Sequence, residues 1–96
     1  MIANKPATMA PLLRRYKPAT KAAFKTAIKY FQDDELRSCG FVRIADGLWL
    51  IPATWFDRIP EGFPVVSIYG RRGYFNRSIL SQRATYGRCL GYGIRR

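Results

Sequence analysis

The chain has 96 residues, 48 % of them apolar and 15 % aromatic, with 17 Lys and Arg against 6 Asp and Glu, no His, and a net charge of +11. That length supports one core and therefore one domain, the aromatic content sets it apart from disordered chains, and no apolar run approaches the ~20 residues of a membrane span. Without His, and with only Cys39 and Cys89, the sequence lacks both the commonest general base and the ligand set of an ordinary zinc site.

Residues 1–18 read as a basic extended arm, because Pro6, Pro11 and Pro18 interrupt any helix that begins there. The arm has no secretory pattern of charge, apolar stretch and cleavage site; its basic, acid-free composition leaves organelle targeting as a minority reading. Residues 19–96 form the single domain, ending in a basic tail. Thr20 is positioned to cap a helix over residues 21–32, in which Phe24, Ala27, Ile28 and Phe31 recur at i, i+3, i+4 and i+7 and make one apolar stripe. Lys21, Lys25 and Lys29 fall on the neighbouring face, with stems along the seam and amines in water. Asp33, Asp34 and Glu35 are unfavourable at that helix's negative end, so a break is expected, with Asp33 or Asp34 capping a second turn that Gly40 ends.

In "FVRIADGLWLIP" two runs of β-formers flank Asp46-Gly47, the preferred pair for a two-residue hairpin turn. That turn sets Ile44 opposite Trp49 and Val42 opposite Ile51, and predicts Val42, Ile44, Trp49 and Ile51 as the core face. A short helical turn is expected at residues 54–59, with Trp55, Phe56 and Ile59 plugging the sheet, stopped by Pro60-Glu61-Gly62. "PVVSIYG" supplies a third strand and "YFN" begins a fourth. Between them "GRRG" reads as a hairpin tip carrying Arg71 and Arg72, with Tyr74 and Phe75 on opposite faces. Residues 78–87 read as a short helix capped by Ser78, and the tail from Arg88 as an edge strand or a loose end. The fold class is therefore α+β, an N-terminal amphipathic helix on a small, mostly antiparallel sheet. The strand count also admits a partly open barrel of SH3 type.

Charge is unevenly placed: residues 1–32 carry +7 with no acid, residues 33–61 carry −3, and residues 62–96 carry +7 with no acid. Two basic flanks raise the local concentration of polyanions. The expected contacts to phosphate are Arg14, Arg15 and Lys17 in the arm, the Lys21, Lys25, Lys29 row, the Arg71 and Arg72 tip, and Arg77, Arg88, Arg95 and Arg96. Trp55, Tyr69, Tyr74 and Tyr92 are candidates for stacking on bases or anchoring a partner. Tyr-Gly occurs at 69–70, 86–87 and 92–93, each near an arginine, as in flexible RNA-binding tails. No Walker-type or dinucleotide loop is present, and no helix-turn-helix, zinc-finger or RRM signature supports sequence reading. The expectation is a non-enzymatic, intracellular nucleic-acid-binding protein without cofactor, metal or membrane span. It would act alone or in a ribonucleoprotein or virion-like assembly. The alternative is a phage or mobile-element inhibitor or adaptor that binds a protein complex. Cys39 and Cys89 are read as reduced.

Overall fold

A computed structural model describes residues 20–96 of the chain. The basic arm, including Arg14, Arg15 and Lys17, lies outside the described residues. Helix α1 spans Lys21–Tyr30, with the Thr20 side chain accepting from the Ala23 N–H at 3.1 Å, and its buried residues are Phe24 and Ile28. It ends two residues before the expected limit, where Phe31 turns extended (ψ 142) and drives its ring into the core. Helix α2, Asp33–Ser38, then begins with its acids at the favourable end. Its cap is Gln32 rather than either aspartate, and the Gln32 N–H donates to Glu35 Oε1 at 2.7 Å. Gly40, at φ 102, closes the helix as expected.

The strands are β1 (Val42–Ala45), β2 (Leu48–Pro52), β3 (Pro64–Ser67), β4 (Arg72–Tyr74), β5 (Thr85–Tyr86) and β6 (Cys89–Arg95). All recorded pairings are antiparallel, in the order β1-β2-β6-β3-β4 with β5 on β6, and the sheet does not close into a barrel. The tail is neither edge nor loose: β6 is the centre of the sheet, pairing β2, β3 and β5. Gly93 makes that position possible, because a Cβ there would fall 2.0 Å from the Trp49 carbonyl oxygen.

The first hairpin forms at Asp46-Gly47, but its register differs from the sequence expectation. The pairs are Ala45–Leu48, Arg43–Trp49 and Val42–Leu50, with a bulge between Arg43 and Ala45. The bulge takes up Ile44 and moves the rest of β1 by one residue. Val42 and Ile44 are consequently exposed, whereas Trp49 and Ile51 join the core and Leu50 is buried as well.

The core lies between the helices and one sheet face. Phe24 meets Phe63 edge-on at 4.8 Å and Phe41 meets Trp55 at 5.0 Å. A 3₁₀ turn at Ala53–Arg58 inserts Trp55 and Phe56, followed by Ile59, into one end, as the sequence predicts. A second 3₁₀ turn, Leu80–Arg83, replaces the helix expected over residues 78–87, and β5 then reverses at Gly87 (φ 64) into β6. Ser78 caps nothing; its hydroxyl donates to Asn76 Oδ1 at 2.7 Å. Among the described residues no helix is long and apolar enough to cross a membrane.

Candidate nucleic-acid interface

Backbone hydrogen bonding explains where a cleft opens between α1, β3, β4 and the end of β6. Along β3, Phe63 and Ser67 bond to β4, through Phe75 N–H to Phe63 O at 2.9 Å and Ser67 N–H to Arg71 O at 2.8 Å. The alternate residues therefore face β6: Ile68 N–H donates to Gly91 O at 3.1 Å, and Val66 is paired with Gly93. The next position on that edge is Pro64, which has no N–H to give. Pairing between β3 and β6 stops at Val66–Gly93, while β6 continues with β2 to Arg95 and β3 continues with β4 to Pro64. The sheet splits there, and Lys25, Ile28 and Lys29 of α1 line the gap.

The resulting cleft has a volume of about 660 Å³ and a mostly apolar lining. Ile28, Phe63, Val65, Val66 and Ile94 supply its apolar wall, and Tyr74 stands on its β4 side. Its cations come from three separate parts of the chain: Lys25 and Lys29 from α1, Arg72 from β4, and Arg95 and Arg96 from the end of β6. Among the described residues no carboxylate side chain lines it. Lys25, Lys29 and Arg72 have no ion-pair partner among the described residues. Arg95 Nη1 reaches the Asp46 carbonyl at 3.4 Å, and Arg96 pairs with Asp33 Oδ1 at 3.3 Å. Three of its five cations, Lys25, Lys29 and Arg72, are therefore without an ion pair among the described residues and lie beside an apolar wall.

The "GRRG" segment is built differently from its reading in sequence. The turn is made by residues 67–70, with Gly70 at φ 86 donating to Ser67 O at 2.9 Å, so Tyr69 rather than the arginine pair stands at the tip. Ser67 Oγ also accepts from the Tyr69 and Arg71 N–H groups, at 3.2 and 3.1 Å. Gly73 lies within β4, without the left-handed backbone expected of it. Arg71 and Arg72 are both exposed, but only Arg72 enters the cleft. Tyr74 is 72 % exposed and Phe75 1 %, as strand alternation requires. Tyr69 is exposed at the tip, Lys21 lies beside Gly62, and Arg88 faces solvent; none of these lines the cleft.

Several candidates are occupied in the core. Trp55 and Tyr92 are buried and cannot serve as exposed anchors. Burial pushes the Tyr92 phenol well above its ordinary range, opposed in part by the nearby Arg77 charge. Arg77 itself is structural: it donates to the Ile59 carbonyl, lies 3.6 Å from Glu61 and covers the Phe75 ring at 5.3 Å. Arg96 sits 5.8 Å over Trp49, whose ring Arg37 also approaches, at 5.3 Å. Arg58 over Trp55 at 5.0 Å and Arg83 over Phe56 at 4.3 Å complete the pattern. Half of the ten described arginines therefore stack on core aromatics, where cation–π contact and the apolar stem seal the rim. That division between sealing and free arginines has no sequence signature, since it depends on which aromatic ends beneath each guanidinium.

Among the described residues no group of three or more Cys, Asp or Glu gathers as a metal site, and both cysteines are free thiols. Comparison with protein-family models, curated proteins and solved structures finds no match to this chain.

Proposed function

We propose that the protein is a non-catalytic nucleic-acid-binding module that holds a phosphate backbone in the cleft between α1, β4 and the end of β6. The observation that carries this reading is the convergence of Lys25, Lys29, Arg72, Arg95 and Arg96 on one cleft that no acidic side chain lines among the described residues, Lys25, Lys29 and Arg72 having no ion-pair partner there. Such a field attracts a polyanion at long range, and guanidinium groups hold phosphate by paired hydrogen bonds. Most contacts would be to the backbone, giving affinity with little sequence choice. Arg71, Lys21 and Arg88 would extend the basic path outside the cleft. The reading is compatible with a free protein or with a subunit of a nucleoprotein assembly inside a cell.

The deciding experiment measures binding of labelled DNA and RNA across a salt series, for the wild type and for Lys25→Ala/Lys29→Ala/Arg72→Ala. Affinity should fall linearly with log salt, at about 0.7 to 0.9 per phosphate contacted. The triple variant should lose roughly 2 to 3 from that slope while melting like the wild type. Absence of binding at about 0.15 M salt, or a slope unchanged by the triple variant, would reject the cleft as the contact surface.

A further inference from the structure

We infer, resting on the reading above, that the cleft takes a single-stranded nucleic acid rather than a duplex, with one base against its apolar wall and on Tyr74. The cleft is mostly apolar beneath its cationic rim. A duplex turns phosphates outward and keeps its base faces stacked inside, so it would cover the cations and leave that wall in water. A single strand presents both phosphate and open base faces, the two surfaces that the cleft offers together.

Tyr74 supplies the second observation. It is 72 % exposed on the β4 side of the cleft, next to Arg72 and with Pro64 as its cross-strand partner. An aromatic held on a strand beside a guanidinium is a platform on which any base can stack. An added peptide strand is the rival occupant of a split sheet. On the β3 side, however, the backbone position that should donate to it is Pro64. Charge selects against most peptides too, since only an acidic one matches the rim.

Gly73 provides a second test. It lines the cleft, alternation puts it on the same strand face as Phe75, and a Cβ there meets nothing within 4 Å. Gly73→Leu therefore projects from β4 on the face opposite Tyr74, toward the Val65 and Phe63 wall of the cleft, from a position with open space at its Cβ, and probes that wall separately from Tyr74.

The experiment is fluorescence anisotropy of the full chain with oligo(dT) and oligo(rU) of about 12 nucleotides, and with the matching duplexes, at about 0.15 M salt. Wild type should bind the single strands at least about tenfold more tightly than the duplexes. Tyr74→Ala should weaken single-strand binding by about tenfold, Tyr74→Phe should retain it, and Gly73→Leu should weaken it, with its melting curve recorded alongside to separate lost binding from lost folding. Duplex binding equal to or tighter than single-strand binding, or indifference to Tyr74→Ala, overturns the single-strand inference and leaves the phosphate-binding reading standing. If no nucleic acid binds and an acidic, leucine-containing peptide does, both readings fall and the cleft is a protein-docking site.

Discussion

The α-carbon of Gly93 packs against the backbone of Trp49 so closely that a methyl group there would sit 2.0 Å from the Trp49 carbonyl oxygen and 2.8 Å from the Leu50 α-carbon. The obstacle is strand backbone rather than a flexible side-chain end, so relief requires β2 and β6 to separate. Because β6 also pairs β3 and β5, separation there opens the sheet on both sides. Gly93→Ala should destabilise by at least about 3 kcal/mol, within the range of severe single substitutions, or prevent folding. Gly73→Ala, with open space around its Cβ, should stay within about 1 kcal/mol of wild type. Chemical denaturation of the two variants checks the contrast.

Arg77 and Arg71 should separate stability from binding. Arg77 joins the Ile59 carbonyl, Glu61 and the Phe75 ring, whereas Arg71 has no ion pair among the described residues. Arg77→Ala should cost about 2 kcal/mol in a denaturation experiment, since it removes a charge-assisted hydrogen bond and a ring contact together. Arg77→Lys should recover only part, because an ammonium cannot reproduce the planar fork. Arg71→Ala should leave the melting temperature unchanged and only reduce the salt dependence of nucleic-acid binding.

Stability should fall on the alkaline side. The Cys89 thiol and the Tyr92 phenol are both raised by burial above their ordinary values of 9.0 and 10.0, with Arg77 partly offsetting the Tyr92 shift. Each group holds its proton more tightly when folded, so its contribution is full below the unfolded value and is lost as pH rises above it. Urea midpoints measured from pH 7 upward should begin to drop near pH 9 and drop further above pH 10. Tyr92→Phe removes the second part. The Tyr92 hydroxyl is buried without a hydrogen-bond partner among the described residues, so the same variant should match or exceed wild-type stability at neutral pH, by up to about 1 kcal/mol.

Pro64 should control the width of the cleft. Pro64→Val supplies the missing N–H on the β6-facing edge of β3 and allows one more rung toward Arg95. The residue 64 amide should then show slow hydrogen exchange, and nucleic-acid affinity should decrease because the gap narrows. A fast-exchanging amide with unchanged affinity would mean that the split has another cause.

The sequence determined the elements whose signals are local. Thr20 and the Phe24, Ile28, Phe31 spacing specify α1, and Asp46-Gly47 specifies the first turn. The β-branched run after Pro64 specifies β3, and alternation predicts that Tyr74 and Phe75 lie on opposite faces, as they do. Its charge map also marked Lys25, Lys29, Arg72, Arg95 and Arg96, the five residues that meet in the cleft. Their meeting was not legible, because contact between segments that lie 23 to 71 residues apart in the chain leaves no periodicity in any of them. Only the tertiary structure placed the glycine-rich tail at the centre of the sheet, since Gly93 reads as a loop residue until Trp49 lies against it. The bulge at Ile44 likewise appears only when β1 is laid on β2, and one extra residue there exchanges the strand's faces. The sealing arginines follow the same rule: a guanidinium over Phe75 and one over solvent have the same sequence signature, and only the packed structure shows which ring lies beneath each arginine.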